Sequence, residues 1–237
     1  MKPVADLAGV RRSTVRLLET VARIDDETAA QPSLLPGWTV AMLVTHLARN
    51  ADSHRGMFEG AAVGEPRQQY PSYEERDAAI EAGRGRPAAE AIAGLGEAVE
   101  RLDRAWDALP EADWSAVALT TDGKPNPVVD LPFQRWREVE VHHADLGLGF
   151  TTGEWDGEYV DAELEATVGA LEPRLPKGVA YALTATGPDG ATHWVVPEGG
   201  RATVSVDAPA RDLLAWLLGR ASDGFPELAP WQFVIRR

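Results

Sequence analysis

A helix bundle over residues 1–150, followed by a small α+β domain over residues 151–237, is the fold class this sequence predicts. Three observations carry that expectation. Apolar residues recur at helical spacing, with capping residues ahead of them, through most of the first 146 positions. Gly147 and Gly149 then stop the last of these stretches. Beyond them lie short β-like runs parted by glycine and proline.

The elements follow in order. Leu7, Val10, Val15, Leu17, Leu18, Val21 and Ile24 form a broad helical stripe. Pro32, Pro36 and Gly37 punctuate a loop, after which Thr39 is placed to cap a second helix through Leu43, Val44, Leu47 and Ala51. Residues 60–71 read as loop. Ser72, with Glu75 three positions on, has the capping-box pattern of a third helix. Gly83, Gly85 and Pro87 interrupt it, and Pro87 suits the first turn of a fourth helix to Leu109, with Leu95, Val99, Leu102 and Trp106 on one stripe. Asp122-Gly123, Pro125 and Pro127 are turn chemistry and point to a short hairpin or ordered loop. Asp130 is placed to cap a further helix to about Leu146. In the C-terminal domain, residues 151–156 read as a linker and residues 159–171 as a helix ended by Pro173 and Pro176. Strands are expected over 179–186, 193–196 and 202–206, a helix over 210–218, and a closing strand over 231–235.

Composition narrows the functions. The 237 residues are 44% hydrophobic and 25% charged, which is globular composition long enough to bury a core without staples. Acidic residues exceed basic ones to give a net charge of −14, the wrong sign for a general nucleic-acid binder. An anionic substrate would be repelled at long range and would need a local cation to hold it. No apolar run reaches the length of a membrane span, and the N-terminus shows no leader pattern, so a cytoplasmic protein is expected. Cysteine is absent; any thiol chemistry must use a thiol from outside.

Five histidines are present, and the informative segment is Arg135-Trp136-Arg137-Glu138-Val139-Glu140-Val141-His142-His143-Ala144-Asp145. At about 100° per residue, Glu138, His142 and Asp145 share a narrow helix face with Arg135 nearby. A Glu and a His at i and i+4 can converge on one metal ion, and helical bundles complete such sites from a facing helix. His46, in an otherwise core-facing helix, is the natural third ligand, with His54 as its rival. Two histidines and a carboxylate leave an open position on zinc, the mark of a catalytic site, although the donor set also suits iron or nickel. Spacing alone leaves the plainer readings open: an i, i+4 surface pair, and a hydrogen-bonded core histidine. His143 points about 100° from His142 and reads as structural or exposed. His193, in a strand, has no assigned role.

These residues also carry a resemblance. Leu35-Pro36-Gly37-Trp38-Thr39 leads into Leu43-Val44-Thr45-His46-Leu47-Ala48-Arg49-Asn50-Ala51; Arg137-Glu138-Val139 is followed by His142 and Asp145-Leu146-Gly147; and Gly219-Arg220-Ala221-Ser222-Asp223-Gly224 stands near the C-terminus. In order and spacing these blocks resemble the mycothiol-dependent maleylpyruvate isomerase family of actinobacteria. That resemblance implies an N-terminal DinB-like four-helix bundle that binds metal and thiol, and a C-terminal sterol-carrier-like α+β domain that contributes to the active-site cleft. It implies His46, Glu138 and His142 as zinc ligands and Arg220 as a catalytic or substrate-binding residue.

The implied mechanism suits a chain without cysteine. Zinc turns a bound thiol into a thiolate. Addition of mycothiol's thiolate to the cis double bond of maleylpyruvate gives an enolate free to rotate, and loss of the thiol leaves fumarylpyruvate. A guanidinium such as that of Arg220 suits a carboxylate or enolate oxygen, although a cation at a helix C-terminus also has a purely structural reading. Asp145 is a candidate acceptor for a ligand imidazole, from His46 rather than from His142 on its own helix. Asn50, one turn beyond His46, is a candidate lining residue for the thiol cofactor's sugar, set against a simple hydrogen bond within the bundle. Trp38 reads as a staple under the second helix. Glu140 and His143 are candidates for altering the site rim. The alternative within the fold is a mycothiol S-transferase that conjugates the thiol to another small electrophile, and a third reading is a non-enzymatic carrier module. The partners expected are therefore small molecules, with no nucleic acid and no membrane; the sequence leaves the oligomeric state open.

Overall fold

Phe150 divides the chain. In the computed structural model, which describes residues 1–188 and 190–230, one unit runs from Met1 to Phe150 and a second begins at Thr151. The expected strand at 231–235 lies outside the described residues.

The first unit is helical. Its helices are α1 (Val4–Val21), α2 (Asp26–Ala30), α3 (Val40–Ala62), α4 (Tyr73–Glu81) and α5 (Ala88–Ala108). A short hairpin of β1 (Val117–Leu119) and β2 (Pro125–Pro127) leads to α6 (Leu131–Asp145). Four long helices, α1, α3, α5 and α6, make the bundle, with α3 packed against α5 and α6, and α1 against α6. The caps expected from sequence are formed: the Thr39 hydroxyl accepts from Met42 N at 3.2 Å and the Ser72 hydroxyl from Glu75 N at 3.1 Å. Such a cap contributes about 1 kcal/mol. Leu95, Leu102 and Trp106 are buried along α5, and Leu7, Val10, Leu17 and Val21 along α1, whereas Val15 is exposed.

Two local expectations are corrected, and one helix has no counterpart in the sequence reading. Asp130 makes no cap hydrogen bond; it closes a 3-10 turn, Val128–Asp130, that runs directly into α6. Helix α2, capped by Asp25, has only five residues and leaves no periodic signal to read. Residues 151–156 are not a plain linker. Thr151 and Glu154 form a capping box on a 3-10 turn, and Asp156 then caps the next helix.

Close packing fixes the rotation of α6. Gly9 lies under the Trp136 ring, where a Cβ would sit 2.2 Å from the nearest ring carbon. The Trp136 indole N–H donates to the Ser13 hydroxyl at 2.8 Å. With Trp136 turned to α1, the opposite stripe of α6 turns to α3.

The second unit contains α7 (Gly157–Gly169), β3 (Tyr181–Gly187), β4 (Gly190–Val196), β5 (Val204–Pro209) and α8 (Ala210–Leu217). β3 is central, antiparallel to β4 and parallel to β5, with Leu183 opposite Trp194 and Val206. Tyr181, Leu183 and Ala185 alternate into the core, as a half-buried strand requires, while Leu213, Leu214, Trp216 and Leu217 of α8 are buried as well. Helix bundle followed by small α+β unit is the fold class read from the sequence. No helix among the described residues is long and apolar enough to cross a membrane.

Candidate metal centre

Two helices bring three donor side chains together. The capped start of α3 buries residues 40–48, and His46 points inward as part of that stretch. On α6, Glu138 and His142 stand one turn apart. Gly147, at φ +71°, turns the chain away just after α6, a conformation glycine adopts without strain. The loop before α3 is tied to the end of α6 by a hydrogen bond from Leu34 N to the Asp145 carbonyl at 2.8 Å.

The Oε2 of Glu138 lies 2.9 Å from His46 Nε2 and 3.4 Å from His142 Nε2. The two imidazoles meet nearly at right angles, with centroids 4.9 Å apart. All three donor atoms lie within 4.8 Å of one another.

Electrostatics prepares the group to act as a ligand set. Burial would raise the Glu138 pKa, but hydrogen bonds from His142 and His46 and their fields hold it well below the usual carboxylate range. Burial pushes His46 down to about 4 against the pull of Glu138, so at neutral pH this imidazole is uncharged. His142 moves the other way. Burial lowers it, yet the hydrogen bonds to Asp145 and Glu138 raise it overall.

Asp145 corrects the sequence expectation about its partner. Its Oδ2 lies 2.9 Å from Nδ1 of His142, on its own helix, and not against His46. An i, i+3 carboxylate reaches back along the helix face to the nitrogen facing away from Glu138. The proton on Nδ1 leaves Nε2 as the donor atom, the arrangement found in carboxylate–histidine–metal sites. The ring of His46 instead packs edge-on against Trp38, with centroids 5.6 Å apart.

The remaining candidates fall elsewhere. His54 is buried on α3 with its ring near the Leu131 backbone, outside the donor cluster, and burial lowers its pKa to about 3. Glu140 and His143 do not reach the rim of the site. They face α1, where Glu140 accepts from the Ser13 hydroxyl and from Arg16 at 2.6 Å. His143 bonds the Thr20 hydroxyl at 2.8 Å and stacks on Phe150. Asn50 makes a bundle hydrogen bond, its Oδ1 accepting from Arg135 at 2.7 Å. In the second unit, Arg220 follows Gly219 at the end of α8 and donates from Nη1 to the Leu218 carbonyl at 2.7 Å. Sequence reasoning noted Arg135 only as a neighbour and passed over Tyr70; an arginine one turn from Glu138 on an inward face was the available signal for the first, and nothing marked the second.

Comparison with known proteins decides the family. The family model described as mycothiol maleylpyruvate isomerase N-terminal domain matches residues 10–147, more than half of the chain. The chain belongs to this family. Two solved structures of the mycothiol-dependent maleylpyruvate isomerase, one of them a histidine-to-alanine variant, are similar over 98% of both chains at 26% identity, with TM-scores of 0.84 and 0.85. No curated protein sequence matches the chain. Within the maleylpyruvate isomerase family fold, the His46–Glu138–His142 group is a candidate metal site of this chain, formed by an anion and a neutral and an oriented imidazole.

Proposed function

We propose that this chain is a cytoplasmic, mycothiol-dependent cis–trans isomerase that converts maleylpyruvate to fumarylpyruvate, with zinc as its metal. The observation that carries the reading is that His46, Glu138 and His142 each bring a donor atom within 4.8 Å of the others, with Glu138 Oε2 2.9 Å and 3.4 Å from the two Nε2 atoms. Three such donors satisfy all but one position of a tetrahedral ion. His46, Glu138 and His142 would hold it.

Bound there, zinc would supply the Lewis acidity that makes the thiol of mycothiol a thiolate able to add to, and leave, the substrate's double bond. The chain's own residues do the rest. Glu138 contributes the one negative charge among the donors. His46 stays neutral through burial, so near pH 7 no imidazolium has to be neutralised, and its free Nδ1 can take the ring proton when Nε2 binds metal. Asp145 holds the His142 ring by its far nitrogen and fixes the direction of Nε2. Arg220 is proposed to bind a carboxylate or enolate oxygen of the substrate, for which a guanidinium is the suited group.

The test follows maleylpyruvate and free mycothiol together, with zinc-loaded protein and a His46→Ala control. Conversion to fumarylpyruvate at constant thiol, lost in the variant, is the expected result. Consumption of thiol in step with substrate would replace the isomerase by an S-transferase. Equal activity of His46→Ala would remove the metal from the mechanism.

A further inference from the structure

Arg135 lies one turn before Glu138 on the α3-facing stripe of α6 and is 1% exposed. Its Nη1 donates to the Leu47 carbonyl at 3.0 Å and to Asn50 Oδ1 at 2.7 Å. These bonds pin the guanidinium against the turn of α3 that follows His46. Both acceptors are neutral. Among the described residues Arg135 makes no ion pair, and the carboxylate whose field reaches it, Glu138, is engaged by two histidines. Burial draws its pKa down to about 10, which still leaves it charged at neutral pH. Its second terminal nitrogen, Nη2, is buried without an acceptor.

Tyr70, in the segment between α3 and α4, supplies an independent observation. Its hydroxyl is also buried without a hydrogen-bond partner. The Ser53 hydroxyl, which donates to the Asn50 carbonyl at 2.8 Å, lies near the Tyr70 hydroxyl but outside hydrogen-bond geometry with it. Asn50 accepts from Arg135 through its side chain and from Ser53, the neighbour of Tyr70, through its carbonyl, so the two donors share one interior neighbourhood. Burial raises its pKa, so it keeps its proton and remains a donor.

Buried donors without acceptors are rare in folded proteins, and each calls for an explanation. An ordered water would satisfy hydrogen bonds but leave the charge of Arg135 unbalanced. A carboxylate would satisfy both donors and balance the charge. The chain also needs such a local cation, because its net charge of −14 repels anions at a distance.

We propose that Arg135 and Tyr70 form an anion subsite beside the metal centre, in which Arg135 Nη2 and the Tyr70 hydroxyl donate to a carboxylate of the substrate. The identity of that anion as a cis-unsaturated dicarboxylate rests on the isomerase reading. The subsite itself rests on the two unpartnered donors.

Calorimetric titration of maleate into zinc-loaded protein, without thiol, tests it. Neutral dimethyl maleate is the control ligand, and the variants are Tyr70→Phe and Arg135→Lys. The parent binds maleate and not the diester. Tyr70→Phe binds maleate about tenfold more weakly, and Arg135→Lys, which loses the fork, roughly a hundredfold more weakly. Zinc stoichiometry stays the same in Tyr70→Phe, and its unfolding midpoint equals or exceeds the parent's, because the variant removes a buried hydroxyl that lacks a partner. Undiminished binding by Tyr70→Phe, equal binding of the diester, or no binding of maleate by the parent each overturns the subsite. If Arg135→Lys does not fold, Tyr70→Phe decides alone. Failure of the two readings is separable. Maleate binding that depends on Tyr70, in protein that leaves maleylpyruvate unchanged, retires the isomerase and keeps the subsite. Normal turnover with maleate binding indifferent to Tyr70 does the reverse.

Discussion

Helix α6 presents two nearly opposite faces built from the same kinds of residue. Toward α1 it turns Trp136, Glu140 and His143; toward α3 it turns Arg135, Glu138, His142 and Asp145. On the α1 face each polar group meets a neighbour suited to it. Glu140 has Arg16 and Ser13, Trp136 has Ser13, and His143 has Thr20 and the Phe150 ring. On the α3 face the groups converge on one another. One carboxylate oxygen serves two imidazoles, and a guanidinium ends in a nitrogen without an acceptor. The difference teaches that burial of a Glu–His pair does not by itself mark a site. Glu140 and His143 are as buried as His46, yet they are spent on holding α1 in place. Chemistry is expected where buried polar groups converge on one point rather than pair off across the packing.

The sharpest way to break this comparison is to delete one residue from each face and measure both metal and stability. His46→Ala is expected to abolish stoichiometric zinc and reduce turnover to background while the far-ultraviolet circular dichroism keeps its helical form. Elemental analysis of the purified protein checks the metal. Arg16→Met is expected to do the opposite. It removes one charged hydrogen bond to the buried Glu140 carboxylate and lowers unfolding free energy by about 1–3 kcal/mol, with zinc content unchanged. Urea titration in the presence of chelator reads the stability. Loss of zinc from Arg16→Met would show that the two faces are not separate in function.

A smaller effect sharpens the contrast within the α3 face. Asp145 touches His142 at the nitrogen remote from the donor cluster. Asp145→Ala should therefore weaken zinc affinity by about 10–100-fold without abolishing binding. Competition against a chromophoric chelator measures it. An unchanged affinity would mean that helix packing alone orients the His142 ring.

The two faces also differ in how much of them the sequence reveals. Glu138 and His142 share a face because spacing along one helix is a property of the chain, and the Thr39 and Ser72 caps are local for the same reason. His46 could be nominated as a facing residue but not paired by distance, since crossing helices meet through packing. Spacing points Asp145 at His46 where the structure has His142, because the choice depends on which nitrogen turns back along α6. The structural reading of His143 holds, but its partner and that of Glu140 are not legible, because periodicity cannot say that Gly9 admits the Trp136 ring and so turns that face to α1. The Arg135–Asn50 tie joins residues 85 positions apart, and no local pattern encodes it.

His54 offers the finest test, because it shares the helix and the burial of His46 but lies outside the donor cluster. Burial holds its pKa at about 3 in the folded protein, against an ordinary value of 6.5. A histidine depressed in this way binds fewer protons folded than unfolded between those values. Its contribution to stability is complete above about pH 6.5 and is lost progressively as the pH falls toward 3. From pH 7 to pH 5.5 the loss is about 1 kcal/mol for this one group. His54→Leu should remove that share of the acid destabilisation while leaving zinc content intact. Urea titrations of parent and variant in chelator, across the same pH range, isolate it by difference. The slope of stability against pH should be shallower in the variant. Equal slopes would mean that His54 titrates normally, and loss of zinc from His54→Leu would make this residue, rather than its neighbour two turns earlier, part of the metal site.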